Sequence, residues 1–109
     1  MNYNILLLPQ FEKDVKKLSK KFKLLKKDLS KLIADLDNNP HQGKSLGDNI
    51  YKIRMANSSI PTGKSGGFRV ITYFIDEEKN IYLLSIYSKT QKDSIGDIEL
   101  KEIMDTLKT

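Results

Sequence analysis

The sequence predicts an α+β fold, a compact antiparallel β-sheet with an N-terminal two-helix hairpin packed on it and a short C-terminal helix. Three observations predict it. Apolar residues recur at spacings of three and four between Phe11 and Leu36, with a break around Ser19 to Phe22. Runs rich in β-branched and aromatic residues follow between Ile50 and Ser88, and a last helical stripe joins Leu100, Ile103, Met104 and Leu107. The whole reads as a single domain over residues 1–109, long enough to bury a core without cross-links.

Each element has its own signal. Tyr3 to Leu7 forms a short strand stopped by Pro9, which also suits the start of a helix. Phe11, Val15, Leu18 and Phe22 stripe one face of the first helix; Leu25, Leu29, Leu32, Ile33 and Leu36 stripe the second, which stops at "DNNP". After a polar link from His41 to Asn49, "IYKIRM" alternates, with Tyr51, Ile53 and Met55 on one face and Lys52 and Arg54 on the other. The loop "ANSSIPTGKSGG" is small and polar, so it should be exposed and mobile. "FRVITYFI" and "NIYLLSIYS" flank the turn "DEEK" and read as the central hairpin, covered on one face by the helices.

Composition narrows the function classes. Hydrophobic residues make up 39% and charged residues 30%, a globular balance. With no cysteine there is neither a disulfide frame nor a thiolate zinc site, and the expected compartment is the cytoplasm. No apolar run reaches membrane-spanning length, and "NILLLP" is too short for a signal peptide, so no membrane association is expected. His41 is the only histidine and reads as a surface loop residue; triads and two-histidine metal sites cannot be assembled within one chain. The glycines at 63, 66 and 67 lack a Walker pattern and a following helix, and the acidic residues do not cluster for a divalent metal. No cofactor and no metal are expected.

A net charge of +5 points towards a polyanionic partner, and nine lysines between Phe11 and Lys31 make the helical hairpin the basic half. A second set of cations lies on or beside the strands: Lys52, Arg54, Lys64, Arg69, Lys89 and Lys92. In an antiparallel meander these converge at one end of the sheet. Arginine forks bind phosphate oxygens, and crowded cations offer a route to a lysine that shuttles protons. RNA cleavage needs little more, because the 2′-hydroxyl attacks phosphorus once a base, a charge stabiliser and an acid are placed. The same set also serves a strand face that only binds, or is only solvated. Arg69, read as a surface cation, should tolerate Arg69→Ala with little effect on folding.

"FEKDVKKLSKK", "LGDNIYKIRM", "GKSGGFRVITYFI" and "IYLLSIYSKTQKDSI", in this order, resemble the RelE/ParE toxin superfamily over nearly the whole chain, closest to its RelE and HigB-like branches. The resemblance implies the toxin of a type II toxin–antitoxin pair: a ribosome-dependent, metal-independent mRNA endonuclease working in the ribosomal A site. It also implies a neutralising antitoxin, expected to be a helix-turn-helix protein. By the same resemblance Lys52 and Arg54 contact and activate the scissile nucleotide, Arg69 stabilises the transition state, and Lys64 and Lys89 are further basic site positions. Where some relatives carry a C-terminal tyrosine this chain has Ile95, which leaves Tyr87 or Lys89 as the general acid. The competing readings are a ParE-like inhibitor of DNA gyrase and a nontoxic nucleic-acid or partner-binding domain.

Overall fold

The computed structural model describes residues 2–60, 67–89, 91 and 95–108. Along the chain run β1 (Asn4–Leu7), α1 (Pro9–Lys21), α2 (Leu25–Asn38), β2 (Lys44–Gly47), β3 (Ile50–Met55), β4 (Phe68–Ile75), β5 (Asn80–Ser88) and α3 (Asp97–Asp105), which tightens into a 3-10 turn at Thr106–Lys108. The strands form one five-stranded sheet in the order β1-β5-β4-β3-β2.

The helical hairpin forms as the apolar stripes require. Pro9 opens α1, where its missing N–H costs nothing, and Phe22 N closes the helix on Leu18 O at 2.8 Å. Phe11, Val15, Leu18, Phe22, Leu25, Leu29, Leu32 and Leu36 pack on Ile53, Met55, Phe68, Val70, Phe74, Ile81, Leu83 and Ile86. Phe11, Leu25 and Leu36 are fully buried, and each such side chain contributes about 1.5–3 kcal/mol by leaving water. Asp37 Oδ1 accepts the backbone N–H groups of Asn2 and Tyr3, which ties the start of β1 to the end of α2.

The sheet departs from the sequence reading in four places. It is mixed: β2 to β5 are antiparallel neighbours, but β1 lies parallel to β5, with Asn4 paired to Asn80 and Leu7 to Leu83. A lone strand of four residues carries no turn that names its partner, so only tertiary packing decides its direction. Secondly, the polar link contains β2, joined to β3 through Asp48 and Asn49 at φ 51° and 64°. Two successive left-handed residues between the paired Gly47 and Ile50 make a tight two-residue hairpin.

Thirdly, the loop after β3 begins anchored to the helical hairpin, although Ala56 and Ser58 are exposed as expected. Asn57 is buried, the backbone N–H and hydroxyl of Ser58 both donate to Asp28, and Ser59 Oγ accepts Leu24 N–H at 2.8 Å, where α2 starts. The loop thus caps the helical hairpin, satisfying one donor that the start of α2 leaves open. Residues 61–66 lie outside the described residues. Fourthly, the second sheet face is also covered, because Leu100, Ile103, Met104 and Leu107 of the C-terminal segment pack on Ile50, Ile71, Leu84 and Tyr87. A bulge assists: Thr72 pairs with Leu83 and Ile71 with Ser85, leaving Leu84 extra and turned to this second cluster.

Thr72 lies on the α1/α2 side, fully buried between Tyr51 and Leu83, and its hydroxyl has no hydrogen-bond partner among the described residues. Thr72→Val removes an unsatisfied polar group while keeping the shape, so urea unfolding should show a gain of about 1 kcal/mol. A loss of stability would mean that the hydroxyl has a partner in solution.

Candidate functional site

Strand register builds the site. β3 and β4 pair Arg54 with Arg69, and β4 and β5 pair Arg69 with Tyr87, so these three residues form a row on the sheet face opposite α1 and α2. Two residues further along the strands, Lys44 pairs with Lys52 and Lys52 with Ile71. Lys89 follows β5, where its backbone N–H reaches Gly67 O at 3.2 Å and holds it beside the start of β4.

Lys44, Lys52, Arg54, Arg69 and Lys89 line an open groove of about 730 Å³ together with Gln42, Gly43 and Ile53. None of these is acidic, and among the described residues no carboxylate pairs with any of the five cations. Like charges directly opposite on neighbouring strands repel, so this register is held against its own electrostatics by the apolar packing of both sheet faces. An anion in the groove relieves that repulsion.

Arg69 is the least expected member. It is 5% exposed, not a surface cation, and Nη1 donates to Phe68 O at 3.2 Å. A guanidinium carries five N–H donors and stays charged. Burial of such a group beside Arg54 and a phenol, with no acid paired to it among the described residues, is costly for stability. Truncation to Ala would therefore open space within the packed sheet, contrary to the tolerance expected of an exposed side chain.

Tyr87 neighbours Arg69 in the row but belongs to the second apolar cluster, with Ile50, Ile71 and Leu84 beneath the C-terminal segment. Burial raises its pKa above the ordinary 10.0; a backbone hydrogen bond at Ile95 and the Arg69 charge draw it back, and the Glu99 carboxylate adds to the rise. The groove lining includes Lys89 and not Tyr87.

Of the positions expected from sequence, Lys52, Arg54, Arg69 and Lys89 are therefore brought together, and Tyr87 stands at the end of their row. Lys64 and Lys92 lie outside the described residues. The sequence reading missed Lys44 and Gln42, although Asp48-Asn49, a pair suited to left-handed turn positions, signals a hairpin that would lay residues 44–47 beside β3. His41 is exposed, as expected, and its Nδ1 lies 2.9 Å from the Tyr51 hydroxyl with its ring edge-on to Phe74.

Among the described residues, no three His, Asp or Glu side chains gather as a metal site, and no helix is long and apolar enough to cross a membrane. The fold and groove together define a small α+β protein whose cationic sheet face suits an anion. Residues 11–109 match the family of the RelE toxin of the RelE/RelB toxin–antitoxin system, and the chain belongs to that family. Solved structures agree in fold. An E. coli RelE mutant in the free state has a TM-score of 0.63 at 21% identity, covering 85% of this chain and 90% of that one. The isolated E. coli RelE toxin has a TM-score of 0.60 at 19% identity, covering 95% and 98%. The toxin–antitoxin complex RelBE of E. coli contains a chain with a TM-score of 0.59 at 22% identity, covering 77% and 93%.

Because folding raises the Tyr87 pKa, the folded state keeps a proton that the unfolded chain loses once pH passes the ordinary 10.0. Stability should therefore be intact below that value and fall as pH rises towards the folded-state pKa. Urea unfolding across the alkaline range should show a shallower decline for Tyr87→Phe than for wild type. Identical declines would contradict the buried phenol.

Proposed function

We propose that this protein is the toxin of a type II pair and acts as a ribosome-dependent mRNA endonuclease, cutting by attack of the RNA's own 2′-hydroxyl. The observation that carries the reading is the groove of five cations, free of carboxylates among the described residues, with Arg69 buried in its wall. A scissile phosphate supplies the missing negative charge.

In this reading Lys52 takes the 2′-hydroxyl proton as the 2′-oxygen bonds to phosphorus. Arg54 and Arg69 carry the charge that builds on the non-bridging oxygens through forked hydrogen bonds, which burial strengthens at Arg69. The bond to the 5′-oxygen breaks and Lys89 delivers its proton, leaving a 2′,3′-cyclic phosphate and a free 5′-hydroxyl. Lys89 serves better than Tyr87 because it lines the groove, whereas the phenol is buried and engaged at Ile95. Lys64, by its resemblance to the basic loop position of the HigB-like branch, is a further contact. No step requires a metal.

The remaining charge suits the setting of the A site. All nine lysines between Phe11 and Lys31 are exposed, which supplies salt-sensitive affinity for ribosomal RNA. Lys27 and Lys31, with Asp28 and Asp35 also in the lining, share a cleft with Arg54 at the end of the sheet, so the helical hairpin and the groove meet around Arg54. The E. coli relative is found in a complex with its antitoxin, and we infer an antitoxin for this chain as well, of the helix-turn-helix kind. The cytoplasm is the compartment in which such a reaction takes place. Inhibition of gyrase would need a docking surface but no convergence of cations, and a nontoxic binder would not need Arg69 buried.

Arg69→Met keeps length and apolar packing while removing the charge. On mRNA-programmed ribosomes its single-turnover cleavage should fall by about 10²–10³-fold, the scale for one lost transition-state donor, and induction in cells should no longer arrest growth. Its stability should equal or exceed that of wild type. Full cleavage by the folded variant would remove Arg69 from the mechanism; absence of new mRNA 5′ ends with wild type would overturn the nuclease reading.

A further inference from the structure

Lys44 is on the sheet's edge strand, outside the set of cations that the sequence reading assigned, yet it lines the same groove. We infer that Lys44 holds an RNA backbone phosphate next to the scissile one and so sets substrate affinity rather than the rate of the chemical step. The assignment deepens the endonuclease reading and rests on it for the identity of the scissile phosphate.

Position separates Lys44 from the reacting centre. It pairs directly with Lys52, on the side away from Ile71. By ordinary strand and residue spacings its Cα is about 12 Å from that of Arg69, two strands across and two residues along. Arg69 is buried in the groove wall and Lys44 is exposed at its rim. The two cations thus serve different phosphates, with Lys52 between them.

Placement at the rim is built in. Gly43 has φ +96°, and a Cβ there would come 2.5 Å from Lys52 O and 2.9 Å from the Ile53 side chain. Only glycine lets the chain lie this close to β3, and Lys44 follows immediately. Upstream, the bond of His41 Nδ1 to the Tyr51 hydroxyl and the edge-on contact with Phe74 hold the segment to the same sheet. Among the described residues no carboxylate pairs with Lys44. A surface lysine kept for solubility has no need of a backbone fixed against its neighbour strand.

The test separates binding from cutting. A labelled single-stranded RNA with methylated 2′-oxygens binds without being cut, and fluorescence anisotropy over a salt series gives both affinity and salt dependence. Lys44→Ala should weaken binding about fivefold and reduce the slope of log affinity against log salt by about 0.7, the increment for one phosphate contact on a single strand. Lys44→Arg should keep both. With mRNA-programmed ribosomes Lys44→Ala should raise KM by a similar factor and leave kcat unchanged. An unchanged slope, a fall in kcat at constant KM, or failure of Lys44→Arg to restore affinity would overturn the assignment. If wild type leaves mRNA intact while the oligonucleotide slope still depends on Lys44, the nuclease reading fails and the phosphate contact stands.

Discussion

Arg69 is a guanidinium withdrawn from water, set by strand register beside another arginine and a tyrosine, and supplied with no acid among the described residues. Such a group is tolerated only where the surrounding structure is strong enough to impose it. Here the imposition comes from both faces of the sheet. On one side the leucine and phenylalanine stripe of α1 and α2 holds β3, β4 and β5 together; on the other the C-terminal segment packs on Ile50, Ile71, Leu84 and Tyr87. The core fixes a register whose electrostatic cost is local, and the cost marks where an anion is needed.

The parts that shape the groove are backbone devices more than side-chain bonds. A two-residue turn at Asp48 and Asn49 returns β2 along β3, and Gly43 allows close approach to Lys52 O. The bonds of Ser58 and Ser59 to the helical hairpin fix the chain where it leaves β3, just past Arg54. Stability and function pull apart in this arrangement. The cations that line the groove contribute repulsion, and most of the side chains that hold the strands together lie outside it.

Most of the architecture was legible because burial is periodic. The alternation in Ile50–Met55 and the runs Phe68–Ile75 and Asn80–Ser88 carried their own strand signals, and Phe11 to Leu36 carried two helical stripes. β2 was not legible by that route, since all four of its residues are exposed and no alternation marks them; only its turn residues betray it. The parallel direction of β1 depends on contacts with β5 more than seventy residues away, as in the pair Asn4 and Asn80. Within the site, residue types and order brought Lys52, Arg54, Arg69 and Lys89 into view. The burial of Arg69 was hidden, because an arginine at the start of a strand looks the same in sequence whether it faces water or a packed neighbour. Tyr87 was named as a candidate general acid through the family resemblance but not as a member of the second core, which exists only once the C-terminal segment folds over that face.

The central proposal is that Arg69 is buried without a neutralising acid among the described residues in order to receive a phosphate. Thermal unfolding in increasing inorganic phosphate, with ionic strength held constant by chloride, tests it most directly, since a ligand that binds only the folded state raises Tm by mass action. Wild type should show a saturable rise in Tm that Arg69→Met lacks, both proteins sharing only the small non-specific effect of the salt. Equal rises in the two proteins, or no rise in wild type beyond that shared effect, would contradict the account.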